Sequence, residues 1–176
     1  MSAVSNTFSS QNILAALNSY VVTSEQDFFK KFGWGKAKMV GTDENAYSED
    51  KPISAFDIGD CITLFAIEKK NNKNEAMISW HIGNGSSVKD LVSELKGYNY
   101  SNPYDLYIIG GISDTTEGEG CLLDNIHKAI KIIFNQSSKI KLELVNLNAK
   151  TGLDFVSASL QLDGTLTFCR HNTRHL

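Results

Sequence analysis

Cys61 and His81 stand twenty positions apart, and together they have the residue types of a nucleophile and its base. A free thiol, with a pKa of about 8.5, is mostly protonated at neutrality and attacks well only when something takes its proton. A neighbouring imidazole does this, and can later return the proton to a leaving amine. Cys61 ends the turn "DIGDC", directly before the apolar run "ITLFAIEKK", and His81 lies at the end of "AMISWHI". A strand, a turn through "NNKNE" and a return strand bring the two to one end of a hairpin. Each residue also has a plain reading. Free cysteine is among the most buried residue types, and a histidine in such a run suits a half-buried strand position.

The turn itself offers a second element. Gly59 lets the backbone bend, so amides near Asp60 and Cys61 can face a shared hollow and supply the donors an oxyanion needs. A simple turn entering a strand uses the same residues, and the charge of Asp60 opposes a thiolate beside it. Cys121 is a rival nucleophile because it begins a helix, where the dipole lowers a thiol pKa. The acids of the preceding "EGEG" work against this, and the nearest histidine, His127, is on the same helix. Cys169, His171 and His175 form a Cys-x-His-x3-His cluster of metal-ligand types. It spans a strand end and a tail without a fourth ligand, so no metal site is expected there.

The elements that must position these groups are legible in part. Ile13, Leu14, Ala16, Leu17, Tyr20 and Val21 recur at helical spacing. Ser24 caps a second short helix, with Asp27 at the capping-box position and Phe28, Phe29 and Phe32 on its apolar side. "GWGKAKMVGTDENAYSEDKP" reads as loop with one short strand. After the Cys61 hairpin come the helix "SSVKDLVSELKG", the buried strand "YDLYIIGG" and the longer helix "CLLDNIHKAIKIIF". Three strands close the chain, "KIKLELVNL", "LDFVSASLQL" and "TLTFCRH", the last two joined by Asp163-Gly164, a hairpin signal. The order from residue 61 is β-β-α-β-α-β-β-β. This implies an α+β domain with a largely antiparallel, sandwich-like core flanked by helices. Residues 1–50 read as an N-terminal extension with two short helices, and 51–176 as the main domain of one compact unit.

Totals exclude several classes. The 176 residues suit one domain, and 41% hydrophobic with 21% charged residues is ordinary for a globular chain. A net charge of -3 gives no basic face for nucleic acid, and no apolar run nears the roughly 18 residues of a membrane span. Three widely spaced cysteines suit a reducing compartment. The start, "MSAVSNTFSSQNILAALNSYVVTS", has no charged side chain and fits neither a secretory signal nor a transit peptide. Uncharged starts rich in serine and asparagine also occur on exported bacterial effectors. The expected location is therefore a bacterial cytoplasm, or a host cytoplasm after export.

In order, these motifs resemble the cysteine glutamine deamidases, the family of CheD-type chemoreceptor deamidases, cytotoxic necrotizing factor and Burkholderia lethal factor. "GDC" opens a strand, Met-x-x-x-His follows in "MISWH", then an amphipathic helix, a strand ending Gly-Gly, "LLDNIHKAI" and the hairpin "LQLDGTLTF". The resemblance covers about residues 52–171 and implies a Thr-Cys-His arrangement, with Cys61 and His81 on matching positions. The family's threonine position is occupied by Ala55, and Ser54, one place off, is the candidate for the hydroxyl that orients His81. The resemblance further implies a substrate protein bearing a surface glutamine, a thioester intermediate, a monomer, and no metal or organic cofactor. A transglutaminase or protease would use the same dyad, and a non-catalytic interaction module would keep the fold without a reactive thiol.

Overall fold

Six consecutive residues, Ile62 to Ile67, are buried, and a strand apolar on both faces belongs in the middle of a layered structure. The computed structural model describes residues 20–110, 122–145 and 155–172, and in it this strand, β5 (Ile62–Lys70), is central to one of two five-stranded sheets. That sheet runs β3 (Glu44–Ser48), β6 (Lys73–Ile82), β5, β7 (Tyr104–Gly110), β8 (Lys139–Leu144). The other runs β1 (Tyr20–Val22), β10 (Leu166–His171), β9 (Phe155–Leu160), β4 (Ile53–Ile58), β2 (Lys38–Val40). Antiparallel pairs predominate, with parallel pairing for β1 with β10, β2 with β4 and β7 with β8.

Strand alternation sorts the side chains into layers. Phe65 and Ile67 of β5 meet Ile53 and Ala55 of β4, Ala158 of β9 and Phe168 of β10, forming a core between the sheets. Ile62, Leu64 and Ala66 face the opposite way, under α2 (Val88–Leu95) and α3 (Leu122–Ile133). On the far side, α1 (Glu25–Phe32) sets Phe28 and Phe32 on Phe56 and Cys169. The described residues form an α+β fold of four layers, helix, sheet, sheet, helices, with no closed barrel among them. Each large side chain so buried contributes on the order of 1.5–3 kcal/mol. Ser24 caps α1, and Ser87 with Asp90 closes a full capping box on α2.

Several elements differ from the sequence reading. The β5–β6 turn is only Asn71-Asn72, both with positive φ (51° and 62°), and β6 begins at Lys73. Asparagine tolerates that left-handed backbone, so a two-residue hairpin replaces the longer turn. The segment that reads as loop with one short strand holds two strands, β2 and β3, and "ISAFDI" forms a further strand, β4. Tyr20 and Val21 are in a strand on the edge of a sheet rather than on a helix, and residues 13–17 lie outside the described residues. A division at residue 50 separates strands that pair, since β2 binds β4 and β3 binds β6.

Candidate active site

The hairpin register decides whether Cys61 and His81 can meet. Thr63 pairs with His81 and Ile62 with Ile82, so Cys61 lies diagonally across the ladder from His81 on the same face. Diagonal neighbours of this kind are within reach of longer side chains. The Cys61 Sγ lies 2.8 Å from His81 Nε2. Both face the space between the sheets at its rim, with Cys61 7% and His81 2% exposed. Glycine at position 110 makes room, because an added Cβ there would fall 2.9 Å from the Cys61 carbonyl oxygen.

The turn before Cys61 bends at an unexpected residue. Asp57 has φ 54° within a bulge of β4, whereas Gly59 keeps an ordinary φ and lies against the Phe155 ring. The backbone N–H groups of Gly59 and Cys61 both bear on Sγ, so the amide of Gly59, rather than that of Asp60, accompanies Cys61. Around the thiol is a cavity of about 270 Å³ between Gly41 and Thr42, the Asp57–Cys61 turn, Gly83, Asn84 and Phe155. Cofactor and drug-sized sites run from roughly 300 Å³ upward, so this one suits a single inserted side chain. A larger apolar groove of about 450 Å³ beside α1, lined by Phe29, Trp34, Met39 and Phe56 together with Glu25 and Gln26, contains neither a cysteine nor a histidine.

Electrostatically the pair rests neutral. Burial pushes the Cys61 thiol up to about 11, against the Gly59 and Cys61 amides, and Asp60 and Asp43 raise it further. The lowered thiol pKa that an imidazole partner suggests is therefore absent in the resting state, because lost hydration outweighs two amide dipoles. Burial also holds the His81 imidazole below its ordinary 6.5, opposed by the Val40 carbonyl, Asp43 and Asp57. The thiol thus donates to Nε2, and Nδ1 carries the ring proton. Nδ1 is buried and makes no hydrogen bond of good geometry, though the Val40 carbonyl is near enough to favour a protonated ring.

Ser54 is not at this site. Its hydroxyl donates to Ser159 Oγ at 2.9 Å, in the other sheet. On β4 the inward positions are Ile53 and Ala55, so alternation turns Ser54 to the α1 side, away from His81. The Val40 carbonyl stands beside the ring in the place expected for the hydroxyl, with Asp43 as a brace. Asp43 N–H donates to the His81 carbonyl at 2.6 Å, and its carboxylate accepts from Gly83 N–H at 3.0 Å. Spacing gives no hint of that brace, since it links two loops forty residues apart. The one signal is that Asp43 tolerates its own positive φ of 60°.

Of the other candidates, Cys121 and His175 lie outside the described residues. Cys169 is fully buried under Phe28, Phe32 and Phe56, and burial pushes its thiol up to about 12. His171 Nε2 shares a 2.8 Å hydrogen bond with Ser157 Oγ and stands 3.7 Å from Asp57 Oδ1. His127 pairs instead with Glu143 at 2.7 Å. No helix among the described residues is long and apolar enough to cross a membrane. Neither a family model nor a curated protein matches the chain.

Proposed function

We propose that the protein is a cysteine amidohydrolase that converts a glutamine of a substrate protein to glutamate. The observation that carries this reading is the 2.8 Å contact of Cys61 Sγ and His81 Nε2 beside a cavity sized for one side chain. The motif order that resembles the cysteine glutamine deamidases adds to it.

As the carboxamide carbon approaches, His81 Nε2 takes the thiol proton while sulfur forms its bond to that carbon. Because the resting pair is neutral, the proton moves with the attack rather than before it. The Gly59 and Cys61 amides stabilise the developing oxyanion. His81 then gives its proton to the amide nitrogen, and ammonia leaves as the C–N bond breaks. Water, deprotonated by His81, attacks the thioester, and the glutamate carboxylate and free thiol result. The sum is carboxamide plus water to carboxylate plus ammonium.

Incubation of the protein with a cell lysate, followed by mass-spectrometric search for glutamine-to-glutamate changes, tests this directly. Sites modified by the wild type and unmodified by Cys61→Ala are expected, with ammonia released and no cross-linked or cleaved products. Cross-links would reassign the chemistry to a transglutaminase and cleavage to a protease. Equal spectra for wild type and Cys61→Ala would refute an enzymatic role for Cys61.

A further inference from the structure

We propose that the Asp57 carboxylate is the specificity-determining acceptor of this pocket, receiving the N–H groups of a substrate carboxamide while the Gly59 and Cys61 amides face its oxygen. This rests on the glutamine-directed reading above and deepens it by naming what selects the amide.

A carboxamide presents one acceptor oxygen and an NH2 donor group, whereas the product carboxylate presents acceptors alone. A pocket furnished only with amide donors would hold the product better than the substrate. Asp57 supplies the missing acceptor from the same turn, two residues before Gly59, and it lines the Cys61 cavity. Its side chain is 10% exposed, and the buried Oδ1 is turned toward His171 Nε2 at 3.7 Å. The same charge repels a product glutamate, and Asp60 and Asp43, which bear on the thiol, are of the same sign.

The placement is held firmly. Asp57 adopts φ 54°, a left-handed conformation unfavourable for a non-glycine residue that persists only where its surroundings impose it. Here Asp57 N–H donates to Ser157 Oγ at 3.2 Å, and Ser157 in turn bonds His171. The buried Ser157–His171 pair, which the proposed chemistry does not use, thus serves as the backing that fixes the carboxylate.

Two small alkylating agents separate this from a general charge effect. Iodoacetamide carries a carboxamide and iodoacetate a carboxylate, and both need the same thiolate, so the ratio of their Cys61 labelling rates is independent of thiol ionisation. Measured by peptide mapping on the full chain, the wild type is expected to prefer iodoacetamide. Asp57→Asn, which keeps a residue tolerant of positive φ, should reduce that preference about tenfold. Asp57→Gly, which suits the same backbone, should match it even if the asparagine variant folds poorly. Asp60→Asn should change the ratio much less. A ratio within about twofold of wild type in both Asp57 variants, with Cys61 still labelled, overturns the role of Asp57 alone. An equal change in Asp60→Asn overturns it too, since local charge would then suffice. Failure of both reagents to label Cys61 in the wild type overturns the nucleophile reading itself, and the proposal with it.

Discussion

Cys61 and Cys169 are both buried thiols with raised pKa, yet their surroundings differ in kind. Cys61 touches an imidazole and borders a cavity. Cys169 is enclosed by phenylalanines, and its nearest histidine in sequence, His171, is bonded to Ser157 instead. Burial by itself therefore says nothing about reactivity. What separates the two is whether a base lies within hydrogen-bond reach of the sulfur, as His81 does for Cys61, and whether the reacting carbon has a way in.

That contrast is open to attack, beginning with the largest effect. Cys61→Ala should lower turnover by more than about 10⁴-fold, as loss of a nucleophile does. A residual rate near that of wild type would put the chemistry elsewhere. Replacing the base is the next test. His81→Gln should cost about 10²–10⁴-fold in turnover.

The same variant should alter the pH dependence of stability. His81 has a folded pKa below its ordinary 6.5, so the unfolded chain binds the proton more readily. Its contribution is present above about pH 6.5 and lost as pH falls through the folded value. Cys61 is raised from 9.0 to about 11, so its contribution is present below pH 9 and lost as pH rises toward 11. Thermal unfolding followed across pH should show a plateau between these limits. His81→Gln should flatten the acid side, and an unchanged acid limb would show that His81 is not held neutral by burial.

Smaller effects fall on the Cys169 side of the comparison. Cys169→Ala should leave turnover unchanged and destabilise the fold by about 1–2 kcal/mol, through a small void among the phenylalanines. Denaturant titration with a parallel activity assay would show both, and lost activity at unchanged stability would contradict the assignment. Ser54→Ala should be milder still, about 1 kcal/mol from one neutral hydrogen bond, with full turnover. A turnover defect there would restore Ser54 to the site despite its bond to Ser159.

Local sequence was enough for much of this. The apolar run from Ile62, the return strand to Ile82 and the short connection between them determine an antiparallel hairpin, and period-two alternation then puts Cys61 and His81 on one face. Ser24, Ser87 and Asp90 mark their helices because capping is a contact of a few residues' span. Strand β4 escaped notice because "ISAFDI" interleaves Ser54 and Asp57 with apolar residues and breaks its alternation at a bulge. The side to which Ser54 points depends on that unseen strand, and so the orienting hydroxyl expected at His81 is absent.

What only the tertiary structure decided are the encounters between distant segments. The Val40 carbonyl near His81, the Asp43 brace to Gly83 and the backing of Asp57 by Ser157 and His171 all join residues far apart in the chain. The state of the dyad belongs with them. A thiol beside a histidine reads from sequence as a lowered pKa, because the partner is visible there and the solvent is not. Stacking two sheets removes the water, and the lost hydration of two buried groups outweighs the amides that favour the charged sulfur.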